Sequence, residues 1–163
     1  MKNVPIFLFV FLLGAASLKA RVFESYDACI ERYGAPKAKK LTAIGSNAVF
    51  IRNGVRVEVE FRDKVAVAVT YSKEPNPTKV NEDLKFDTEE VDALLKANGG
   101  ELVWAAPALD GAGGGRWQTK GKELQARLID GIYLRIEDGA EAARAAKDAA
   151  ILKKNGRRDL TGF

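Results

Sequence analysis

Acid–base chemistry in this sequence would rest on carboxylates, because it contains no histidine and one cysteine, Cys29. Without imidazole there is no serine–histidine or cysteine–histidine relay. One thiol makes neither an internal disulfide nor a cysteine–histidine metal site. The closest approach to paired acids is Glu58 and Glu60, which alternate with Arg56 along one stretch. A strand would hold both carboxylates on one face, about 7 Å apart. Acid–base chemistry needs the two pKa values driven apart. Nothing in the neighbouring sequence desolvates either group, so a solvated sheet face is the expected reading. Cys29 falls on an apolar helical stripe and is expected to be a small core residue, with a reactive thiol as the alternative.

A second group of residues could bind rather than react. Gly111, Gly113, Gly114 and Gly115 precede Arg116. Glycine-rich backbone can point N–H groups at an anion, but a phosphate-binding loop needs Gly-Lys-Ser/Thr leading into a helix. Here Trp117 opens a strand pattern, so a floppy loop is expected. Trp104 and Trp117 flank that loop, with Pro107 and Leu109 between them. Such a pair can form the lip of a peptide or sugar site. Trp117 falls on a core pattern, which leaves Trp104 for an exposed contact role. Trp104 and Arg116 are the candidate partner contacts. No catalytic, metal-ligating or cofactor-binding residue is assigned, and no cofactor is expected.

These residues must be positioned by a small set of elements. Tyr26, Cys29, Ile30 and Tyr33 follow helical spacing, and Gly34 and Pro36 stop the helix. Val91, Leu94, Leu95, Asn98 and Gly99 repeat that pattern, and Asp87 with Glu90 spells a capping box ahead of it. Phe50 to Val69 and Trp117 to Ile136 match each other strand for strand. Asn53-Gly54 signals a two-residue hairpin that sets Arg52 against Val55 and Phe50 beside Val57. For the next turn, a three-residue loop at Arg62 to Lys64 keeps Phe61, Val65, Val67 and Val69 on one buried face with Val57 and Val59. The matching face holds Trp117, Leu124, Leu128, Ile132, Leu134 and Ile136, with Gly131 at the left-handed turn position. The expected fold class is α+β: two related units, each one helix plus a three-stranded antiparallel meander, with a C-terminal alanine-rich helix. The expected boundaries are unit 1 at 21–74, a linker at 75–86, unit 2 at 87–139 and a helical basic tail at 140–163.

Residues 1–20 have the plan of a secretory signal: Lys2, an apolar run from Val4 to Leu13, then small residues. The run is shorter than the roughly 20 residues a bilayer span needs. Cleavage is expected after Ala20, with Ala16 as the alternative, and the lone cysteine lies too far on for lipid attachment. The chain is 163 residues with a net charge of +4. The segment from Ala140 to Phe163 alone contributes +3, so the basic character belongs to the tail and not to a nucleic-acid-binding face. Lys153, Lys154, Arg157 and Arg158 are expected to be solvated. Contact with an anionic membrane or wall polymer would be weak and salt-sensitive.

The paired pattern of helix, glycine stop, loop and strands resembles tandem modules of the beta-lactamase-inhibitor-protein type and the SmpA/OmlA outer-membrane assembly lipoproteins. Tyr26 to Pro36 and Phe50 to Tyr71 carry the resemblance, which covers about residues 24–138. The chain lacks the lipid-accepting cysteine of the one family and the paired cysteines of the other. The resemblance implies protein binding by a sheet face and loops, without catalysis. The expected function is therefore an exported, non-enzymatic protein-interaction module, periplasmic or secreted, whose partner is another envelope or secreted protein. The alternative is a periplasmic binder of a small ligand or cell-wall polymer in the cleft between units. No nucleic acid is expected as a partner.

Overall fold

The computed structural model describes residues 22–75, 78, 84–109, 114–144 and 147. The expected signal segment, most of the linker, the glycines before Gly114 and most of the basic tail lie outside them.

The first helix ends at its expected stop, Gly34, and the second starts at its expected capping box but runs through Gly99 to a cap at Gly100. Helix α1 spans Tyr26–Tyr33; the Ser25 hydroxyl accepts from the Ala28 N–H, and Gly34 ends the helix at φ 83°. Helix α2 spans Thr88–Gly99 and begins with the full capping box: the Asp87 carboxylate takes the Glu90 N–H, and Glu90 takes the Asp87 N–H. The strands are β1 (Ala38–Thr42), β2 (Gly45–Arg52), β3 (Val55–Arg62), β4 (Val65–Lys73), β5 (Ala108–Leu109), β6 (Gly115–Gln118), β7 (Leu124–Ile129) and β8 (Tyr133–Asp138).

The expected pair of helix-plus-three-strand units does not form. All eight strands build one antiparallel sheet in the order β1-β2-β3-β4-β8-β7-β6-β5. The seam is a regular ladder in which Val69 faces Ile136 and Tyr71 faces Leu134. One core runs across it, from Phe50, Val57 and Val59 through Val69 to Ile136 and Leu124, under Cys29, Val91 and Leu95 of the helices. Strand alternation reports which face is buried and not whether an edge stays free, so the sequence leaves the joining of the two meanders open, and their separation into two units is what the continuous sheet overturns. Two strands also went unforeseen, β1 and β5. All five β1 residues are exposed, so no hydrophobic alternation marks it; its backbone pairing to β2 makes it a strand.

The Asn53-Gly54 hairpin has the expected register, with Arg52 opposite Val55 and Phe50 opposite Val57. The next hairpin does not use a three-residue loop. Arg62 pairs with Val65 across a two-residue turn at Asp63-Lys64, and both turn residues have positive φ. A bulge near Phe61 then restores the register, so that Val59 still faces Val69. Ala66 goes inward against Phe61, while Val65 turns outward and is 38% exposed. Val67, the additional residue, is half-buried. In the β7–β8 hairpin, Ile129 pairs with Tyr133 around a loop at 130–132. Ile132 therefore sits in the turn, half-buried, while Leu128 and Leu134 face each other in the core.

The two faces of the sheet differ in character. Both helices pack on the face that carries Phe50, Val59 and Ile136. The opposite face carries charge, and Arg135 organises its middle. Its guanidinium binds both oxygens of Glu60, at 2.5 and 3.2 Å, and Glu137 at 2.8 Å. Glu60, Ala68 and Glu137 are consecutive across β3, β4 and β8. The small, buried Ala68 leaves room for the arginine to cross the seam. Residues 139–144 are helical and tied back to β3 by a Glu141–Arg62 ion pair.

Candidate functional site

Trp104 and Trp117 come together. They line one groove of about 330 Å³ between α2 and the β5–β6 edge, with Leu95, Lys96 and Pro107. Several backbone bonds fix the Trp104 segment: the Ala105 N–H donates to Gln118, and the Lys120 N–H to Val103. The indole N–H of Trp104 donates to the Leu95 carbonyl at 2.9 Å, which ties the ring to the last turns of α2. Two glycines make room for the rings. A Cβ on Gly99 would lie 2.6 Å from the Trp104 indole nitrogen, and one on Gly115 would lie 2.6 Å from the Trp117 ring. Trp104 is thus half-buried and hydrogen-bonded. It forms a wall of the groove and does not stand free in solvent.

Arg116 is not part of this groove. It neighbours Trp117 on β6, so strand alternation sends it to the opposite face, where it is exposed. The two candidate contacts therefore sit on opposite sides of the sheet.

A larger cleft, of about 650 Å³, opens between the segment before α1 and the end of α2. Phe23, Glu24, Asn98 and Leu102 line it. Phe23 has a positive φ of 81° and is 54% exposed. The Phe23 N–H and the Glu24 carbonyl bond to Ala66, which sets this segment beside the start of β4. Beneath the cleft, Asn98 donates to the Tyr71 hydroxyl at 3.0 Å and to the Leu94 carbonyl at 2.8 Å, and Tyr71 also bonds Tyr33. This chain joins α1, β4 and α2 through the core. Burial pushes the Tyr71 hydroxyl up to about 12. In the sequence Asn98 stands only near the end of a helical stripe. A polar residue on that apolar stripe was the signal that could have revealed it.

None of the sharper chemical readings gains a partner set. Cys29 is buried, and burial first, with Glu24 second, pushes its thiol up to about 12. Glu58 is held by Arg56 at 2.7 Å and Glu60 by Arg135, so the two carboxylates serve different arginines. Among the described residues there is no group of three or more potential metal ligands, and no helix is long and apolar enough to cross a membrane.

No family model and no curated protein matches the sequence. Among solved structures the chain is similar to an extracellular protein containing a SCP domain from Bacillus anthracis str. Ames, with 13% identity and a TM-score of 0.43. That alignment covers 84% of this chain and 48% of the other, so the chain spans about half the length of that protein.

Proposed function

We propose that the chain is an exported, non-enzymatic module that binds another envelope or secreted protein, with the groove between α2 and β6 as the contact site. The observation that carries this reading is the pair of tryptophans lining one open groove beside a short sheet edge. Ordered indoles lose little conformational freedom on contact and recur at the energetic centres of protein interfaces. The apolar run at Val4 to Leu13 and the small residues after it support export. The lack of histidine and the high pKa of the lone thiol favour binding over catalysis.

A second reading, a small-ligand or wall-polymer binder, draws on the 650 Å³ cleft beside Asn98. Affinity capture from envelope and culture fractions separates the two. The first reading expects a specific protein, captured by the wild type and lost with Pro107→Asp at the groove rim while the thermal melt is unchanged. Binding of a glycan or small molecule that survives Pro107→Asp but fails with Phe23→Asp would replace it with the second.

A further inference from the structure

We propose that the outward face of β6 and β7 is a docking surface for an acidic segment of a partner protein; this rests on the reading of the chain as a protein-binding module. Three arginines stand side by side there. Arg116 is directly opposite Arg127, and Arg127 directly opposite Arg135, on three adjacent strands. Strand spacing puts neighbouring members about 5 Å apart. Like charges directly opposite each other in a sheet are destabilising, so this row costs the fold something.

Only one end of the row is neutralised from within. Arg135 is occupied by Glu60 and Glu137. Its charge is held on against burial by those two carboxylates. Arg116 and Arg127 are exposed, and among the described residues neither has an ion pair. Their neighbours across the next rung, Gln118 and Gln125, are uncharged hydrogen-bonding groups. Carboxylates from outside can therefore reach two guanidinium forks without displacing an internal partner.

The surroundings favour a short acidic protein segment over a long polyanion. Glu58 and Glu60 lie on the same face toward β3, on the far side of Arg135. A polymer continuing along the row would run onto those carboxylates. One rung along β7 and β8 toward their hairpin, Tyr133 is 48% exposed and Ile129 half-buried, an arginine–tyrosine–aliphatic composition that suits a protein contact.

Fluorescence anisotropy with a labelled peptide of alternating glutamate and serine tests this on the full exported chain. Its glutamine counterpart is the control, and inorganic polyphosphate the competing polyanion. The glutamate peptide is expected to bind at low salt and to weaken as salt rises. Affinity is expected to fall about tenfold or more in Arg116→Gln/Arg127→Gln. That variant should melt no lower than the wild type, because the like-charge pair is gone. Binding equal in the double variant, no binding to the wild type, or binding of polyphosphate alone would overturn the proposal. If partner capture still depends on Pro107 in that case, the protein-binding reading stands and this surface alone is refuted.

Discussion

Lys64 occupies a conformation that suits a residue without a Cβ. Its φ is 67° and that of Asp63 is 49°, so both central positions of the turn are left-handed. The Asn53-Gly54 and Asp130-Gly131 turns place glycine at the matching second position, with φ 75° and 73°. Lysine there bears a clash between Cβ and backbone that glycine avoids. Lys64→Gly creates the Asp-Gly pair that such turns prefer. It should stabilise the fold by roughly 0.5–1 kcal/mol after glycine's greater unfolded-state entropy is subtracted. Urea melts check this: the midpoint rises at constant slope. A lowered midpoint would mean that Lys64 makes a compensating contact in the native turn.

At the scale of elements, the groove depends on how closely α2 approaches the Trp104 segment. Gly99 is the contact point, because a methyl group there would meet the indole ring at 2.6 and 3.3 Å. The ring cannot simply swing away, since its N–H is bonded to Leu95 of the same helix. Gly99→Ala gains up to about 1 kcal/mol of helix propensity. Against that stand overpacking of about 1–3 kcal/mol and a hydrogen bond worth about 1 kcal/mol. The net expectation is a loss of about 1–3 kcal/mol. It should come with a red shift of tryptophan emission as Trp104 moves toward water. An unchanged spectrum with a higher midpoint would show that the helix end tolerates the methyl group. Gly99 was legible in the sequence only as the counterpart of the stop glycine Gly34, yet α2 runs through it to a cap at Gly100; its packing against Trp104 was not legible, because the two meet only once α2 is docked.

For the whole molecule, the seam between β4 and β8 decides how it unfolds. Four ladder pairs, from Ala68–Glu137 to Tyr71–Leu134, join the two halves. Arg135 bridges them on one face, and the Tyr33–Tyr71–Asn98 chain links them beneath the other. Loss of either half would expose apolar surface and strand backbone of the other, so the two should unfold together. Both tryptophans lie in the C-terminal half, whereas far-UV circular dichroism reports on all eight strands. Urea transitions followed by the two probes should coincide. Two separated transitions would mean that the halves fold as independent units despite the continuous sheet.

Local order in the chain determined the parts that local chemistry controls. Gly34 ends α1, Asp87 and Glu90 start α2, and Asn53-Gly54 fixes the register of Phe50 against Val57; each involves groups within a few residues of one another. Alternation also marked Phe50, Val57, Val59, Phe61, Leu124, Leu134 and Ile136 as inward-facing. Tertiary structure alone decided the rest. The bulge near Phe61 reconciles a two-residue turn with a buried face, a choice set by packing across several strands. The joining of β4 to β8 rests on backbone groups that every strand carries, so no side-chain pattern announces it. The same joining aligns Arg116, Arg127 and Arg135 and sends Trp104 and Arg116 to opposite faces, because neighbours in a sheet are chosen by register and not by distance along the chain.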